Sequence, residues 1–187
     1  MGTRYVGAGT LSEPVQILTM QETEPGRWQW VPSRKAWAQV EQTAKTNLFS
    51  RVGVGARDAA VVLRRQPLTL HQALSWKGKH LFLTAITDRG RMHLDVKAAL
   101  VDLVECQADP VEDGPHFPGV LTEKYIKHEQ LEPLAVNTTA FVLVTPKVID
   151  LEEGRLVEVA GVPYEVQTAH RLDQYKNEFE IVRKGDL

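Results

Sequence analysis

Apolar residues recur along the chain in short runs, often with a period of two, separated by glycine, proline and acidic residues. That pattern predicts strands and turns rather than helices. Val15-Gln16-Ile17-Leu18-Thr19-Met20 is β-branched and apolar, and Glu22-Thr23-Glu24-Pro25-Gly26-Arg27 reads as a turn. Pro25 fixes φ there and Gly26 permits positive φ. Trp28 and Trp30 share one face of the next strand, Pro32-Ser33 breaks it, and Ala36 to Gln42 resumes it to complete a hairpin. Ala59 to Arg65 is a further strand, whereas Thr69 to Ser75 is ambiguous and leaves room for one helical turn. Ala98 to Glu105 alternates Leu100, Asp102 and Val104 with Val101, Leu103 and Glu105, as expected of a strand buried on both sides.

Ala108 to Gly119 carries three prolines, two glycines and three acids, a linker composition. The boundary is therefore placed at 108–119, between a first domain over 1–107 and a second over 120–187. In the second, Val120 to Ile126 and Phe141 to Thr145 read as strands, the latter stopped by Pro146. Turns at Ile149-Asp150-Leu151 and Glu153-Gly154 lead into Leu156 to Val159.

The ends of the two halves read alike. Trp76 to Ala85 running into Arg91 to Val96, and Val159 to Ala169 running into Lys176 to Val182, each give strand, glycine turn, strand, polar bend and strand. A repeated meander implies two related small β-domains. The fold class expected is mainly β, with two small barrel-like domains in tandem and little helix.

Composition narrows the function. A chain of 187 residues with a formal charge of −2 has no bulk basic surface of the kind a dedicated nucleic-acid binder carries. The single cysteine, Cys106, excludes an intramolecular disulfide and fits a reducing compartment. The start of the chain lacks the apolar run of a signal peptide, and no run approaches the ~20 apolar residues of a membrane-spanning helix. The chain reads as soluble and made in the cytoplasm, without a membrane partner.

No enzyme signature emerges. The six histidines, at 71, 80, 93, 116, 128 and 170, form no metal-binding spacing, and Cys106 has no CxxC partner. The acidic pairs Glu22/Glu24, Glu112/Asp113 and Glu152/Glu153 fall in turns, where solvated carboxylates are expected. No serine sits in a nucleophile elbow. Gly53-Val54-Gly55 lacks the third glycine and the strand–helix context of a phosphate-binding fingerprint. Neither a metal nor a cofactor is expected. Trp28, Trp30, Trp37 and Trp76 are expected to pack the first core, with the alternative that Trp28 and Trp30 anchor a partner subunit.

The stretch 44–57 follows neither period. It holds Lys45, Arg51 and Arg57, the glycines Gly53 and Gly55, and the apolar pair Leu48-Phe49. It is either a solvated connection or a functional excursion whose cations attract phosphate and whose Leu48 and Phe49 bury against a neighbour.

Pro14-Val15-Gln16-Ile17-Leu18, then Gly26-Arg27-Trp28, then Ala36-Trp37-Ala38-Gln39-Val40-Glu41 resembles tailed-phage head–tail joining proteins, also called head-closure or stopper proteins. Val61-Val62-Leu63-Arg64 and the unit from Gly78 to Asp88 fit the same pattern, so the resemblance covers Leu11 to Glu105. Gly154 to Val159, Tyr164-Glu165-Val166 and Leu172-Asp173 are similar to the closing portion of that family. Its usual members have one domain, so the tandem is a departure. The resemblance implies a structural virion protein at the head–tail interface, forming a homo-oligomeric ring below the portal. Its partners would be the portal or an adaptor protein, a tail protein, and packaged double-stranded DNA held without sequence preference. By that analogy Lys45, Arg51, Gly53, Gly55 and Arg57 form the DNA gate. The alternatives are a tail-completion or tail-terminator ring protein, and a soluble β-barrel binding module acting alone.

Overall fold

The computed structural model describes residues 8–42, 57–124 and 140–185. Twelve strands account for most of them, and two 3-10 turns, Ala8–Thr10 and Pro110–Glu112, are the helical segments among the described residues. The strands are β1 (Glu13–Glu24), β2 (Arg27–Gln42), β3 (Arg57–Arg64), β4 (Gln72–Trp76), β5 (Lys79–Arg89), β6 (His93–Val101), β7 (Val104–Ala108), β8 (His116–Lys124), β9 (Ala140–Pro146), β10 (Leu156–Val159), β11 (Val162–His170) and β12 (Lys176–Arg183).

They form two closed six-stranded rings. The first runs β1-β4-β5-β6-β3-β2 and closes by pairing β1 with β2. The second runs β7-β10-β11-β12-β9-β8 and closes by pairing β8 with β7. Replacing each strand of the first ring by the one six places later yields the second, so the two barrels share one strand order. The mainly β, tandem-barrel expectation is met.

The repeat extends to backbone detail. The β4–β5 turn places Lys77 at φ 50° and Gly78 at φ 76°, and the β10–β11 turn places Ala160 at φ 49° and Gly161 at φ 81°. Two successive positive φ angles are the mark of a type I′ hairpin, whose twist matches that of the flanking strands. Each following strand then slips register, between Leu83 and Ala85 in β5 and between Val166 and Thr168 in β11. These irregularities stand equally far beyond Gly78 and Gly161. The meander legible in the sequence is thus one structural unit used twice.

Period-two alternation builds each core. In β3, Ala59, Val61 and Leu63 point inward and join Val15, Ile17, Leu74, Leu81 and Val96. In the second barrel, Val157 and Val159 of β10 join Phe117, Leu143, Tyr164, Phe179 and Ile181. Phe141 meets the Tyr164 ring edge-on at 5.6 Å. Beyond β9, Lys147 Nζ donates to the carbonyls of Arg171 and Asp173, both at 2.7 Å, and to Asn177 Oδ1 at 3.0 Å. Buried Asn177 donates in turn to the Ile149 carbonyl at 2.7 Å. These bonds hold the β9–β10 and β11–β12 connections together and satisfy groups that would be costly to bury alone.

Several boundaries differ from the sequence reading. β2 continues through Pro32-Ser33, because Pro32 is exposed and Ser33 Oγ donates to the Ile17 carbonyl at 3.1 Å. The expected strand over 98–105 is broken: β6 ends at Val101, exposed Asp102 and Leu103 intervene, and β7 begins at Val104. The compact units divide at that break, one ending at Val101 and the other resuming at Asp102. Residues 108–119, expected as a linker, instead hold the end of β7, the 3-10 turn and the start of β8. Their proline and glycine content serves tight turning, as Gly114 illustrates: a Cβ there would lie 2.2 Å from the Ala108 carbonyl oxygen. Thr69 to Ser75 resolves as a turn at 70–71 followed by β4.

Residues 20–29, the tip of the β1–β2 hairpin, belong to the second unit. Within it the Gly26 carbonyl accepts from His116 N–H at 2.7 Å, and Arg27 pairs with His116 in parallel.

Candidate functional site

Six of the residues singled out in the sequence, Lys45, Leu48, Phe49, Arg51, Gly53 and Gly55, lie outside the described residues. Arg57 opens β3 with its side chain exposed, opposite Leu100 of β6. Trp28 is half-buried against the second core rather than the first. Trp30 is half-buried, with its ring 5.1 Å from that of His80. Trp76 belongs to the first core, and its Nε1 donates to Glu13 Oε2 at 3.2 Å.

Trp37 departs from expectation. It is 61% exposed, not a core residue. The reason is alternation along β2, where Ala36, Ala38 and Val40 pack on the first core and Lys35 and Trp37 take the opposite face. The same register pairs Ala38 with Leu63, which brings Trp37 beside Arg64 at the end of β3. Leu11, at the entry to β1, and Gln66 complete an open depression of about 650 Å³ lined by Leu11, Lys35, Ala36, Trp37, Arg64 and Gln66.

This depression combines an exposed indole with two cations and no acid. Neither the Lys35 nor the Arg64 side chain has an ion-pair partner among the described residues. By contrast Arg65 pairs with Asp88 at 3.2 Å, and Lys77 pairs with Glu13 at 3.0 Å while lying 4.7 Å over the Trp76 ring. A Lys–Arg couple with no ion-pair partner among the described residues, beside an indole, suits a partner that offers negative charge together with an apolar contact.

The sequence reading missed this surface although its signal was present. Between Lys35 and Glu41 the even positions are small or apolar and the odd ones polar, except for Trp37. An indole in the polar phase of a strand is an exposed indole.

Two buried groups, His80 and Cys106, have their protonation shifted by loss of hydration. His80 is 8% exposed, its Nε2 has no hydrogen-bond partner, and loss of hydration lowers its pKa to about 4. Cys106 is buried in the second core, and desolvation pushes its thiol up to about 12. A thiol held neutral and covered is inert. An aromatic disulfide reagent at neutral pH is therefore expected to label Cys106 only after denaturant is added, and rapid labelling of the native protein would contradict its burial. Among the described residues no three His, Cys, Asp or Glu side chains come together as metal ligands.

Searches of protein-family models, curated proteins and solved structures return no match for this chain.

Proposed function

We propose that the chain is a structural protein of the tailed-phage neck that joins head to tail and helps retain packaged DNA as a ring below the portal. The observation that carries this reading is the coincidence of two spans. The resemblance to head–tail joining proteins covers Leu11 to Glu105, and the strands of the first closed barrel run from Glu13 to Val101. All of these motifs but Gly26-Arg27-Trp28, which belongs to the second unit, thus fall within one complete small barrel, the architecture that the resemblance implies. The second barrel repeats its strand order, as a duplicated ring-forming unit would.

Immunogold electron microscopy of particles from the source organism tests the assignment. Label at the head–tail junction is expected, after mild disruption where the epitope is covered. Disrupted particles that carry none of the protein would refute it. In the same reading Lys45, Arg51 and Arg57 face the DNA, where repetition around a ring turns three cations into a concentrated positive field. Their joint replacement by alanine is expected to leave the protein folded and the heads leaky, as measured by DNA released from purified particles. Normal retention would remove the gate from the proposal.

A further inference from the structure

The depression around Trp37 has a chemical counterpart on the second barrel. The turn joining β7 to β8 presents Val111 at its tip, 87% exposed and preceded by rigid Pro110. Three acids flank it: Asp109, Glu112 and Asp113. Glu112 has no ion-pair partner among the described residues, Asp109 has only a long contact of 3.9 Å with Arg155, and Asp113 accepts from Gln107 Nε2 at 3.3 Å. The turn is well defined. Glu112 N–H and Gly114 N–H both donate to the Asp109 carbonyl, at 2.9 and 3.3 Å, and the Asp109 N–H donates to Leu156 O at 2.9 Å. It is a preformed knob with an apolar tip and an acidic collar.

We infer that the knob Asp109–Asp113 of one copy docks in the Trp37 depression of a neighbouring copy. Val111 then covers the indole while Glu112 and Asp113 meet Lys35 and Arg64. The charges are opposite in sign across the contact, and each side supplies an exposed apolar group that the other can cover. About 650 Å³ accommodates the tip of a turn rather than a single side chain. The two surfaces differ, so the contact is heterologous: every copy offers one knob and one depression, and repetition closes a ring or continues as a filament. This pairing deepens the ring reading above and rests on it for the closure.

Two reversed-charge variants test it. K35E/R64E reverses the depression, and E112K/D113K reverses the knob. Lysine is tolerated at the left-handed position of Asp113, φ 52°, as Lys77 at φ 50° shows in this chain. Sedimentation velocity over rising concentration is expected to show self-association of the unmodified protein, weakened on the order of 100-fold in either variant, because like charges face each other. Mixing the two variants in equal amounts restores assembly, since reversed knobs then meet reversed depressions and the remaining surfaces are native. Circular dichroism of each variant confirms that the barrels are intact.

A covalent readout captures the contact where it is weak. W37C and V111C chains, mixed in equal amounts and oxidised, are expected to yield the mixed disulfide dimer well beyond the roughly twofold excess over either like pair that random pairing gives, with buried Cys106 contributing none. Association unchanged in both reversed variants overturns the inference, and so does a mixed dimer no more abundant than about twice either like pair, the random ratio. Failure here is separable from failure of the neck assignment. A neck-labelled particle without the cross-link leaves the neck and removes this contact; a cross-link in a protein absent from particles does the reverse.

Discussion

Acidification through the range from 6.5 to about 4 is expected to remove roughly 3 kcal/mol of stability from this protein through one side chain, His80. In the unfolded chain the imidazole binds its proton near the ordinary value of 6.5, whereas in the fold burial lowers that value to about 4. Between the two the unfolded state holds more protons, so stability falls as pH falls. It is fully present above 6.5 and this contribution is lost by about 4. The physical cause is the loss of water around a ring packed beside Trp30, with no partner at Nε2 to receive a charge. Urea unfolding of the unmodified protein and of His80→Leu across this range checks it. The variant should lack the His80 share of the acid destabilisation. Parallel pH profiles in the two proteins would show that His80 hydrates in the native state.

Gly114→Ala is expected to cost roughly 3 kcal/mol or more, for a reason unrelated to charge. The added Cβ would sit 2.2 Å from the Ala108 carbonyl oxygen and 3.0 Å from its carbon, both backbone atoms. No rotamer change relieves that overlap. The turn has to open, and with it the bonds from Ala108 N–H to the Pro115 carbonyl at 3.0 Å and from Gly114 N–H to the Asp109 carbonyl at 3.3 Å. A thermal melt provides the magnitude. Because the same turn carries Val111, the variant is also expected to lose self-association below its melting temperature. A melt within a degree of the unmodified protein would mean that the turn relaxes at no cost.

The contrast between these positions and the rest of the chain shows what its letters reveal. Strand identity was legible wherever one barrel face alternates, as in Ala59-Val61-Leu63, because half-burial imprints a period of two. The duplicated meander was legible through Gly78 and Gly161, since a I′ turn calls for residues that accept positive φ. Connections were less so. The run 108–119 has the composition of a linker and the geometry of a turn, and only the close approach of Gly114 to Ala108 separates the two. Leu100 to Glu105 keeps its alternation through Asp102, so a pattern rule cannot see that the backbone leaves one sheet there for another. The depression around Trp37 depends on β3 lying beside β2, a long-range pairing that places Arg64 next to a residue far from it in the chain. The gate residues from 45 to 55 lie outside the described residues, so their reading rests on sequence.

Ring closure in both barrels has a bearing on solubility and on the choice of partners. An open sheet ends in a row of unpaired N–H and C=O groups that recruits any extended segment it meets, the usual route to amyloid-like stacking. Here β1 pairs with β2 and β8 with β9, so neither sheet ends in an unpaired strand. The described strands therefore offer no open edge for zipping strand to strand. Among the described strands the backbone groups are spent within the barrels, which leaves side chains and turns, where sequence can discriminate, to present a surface.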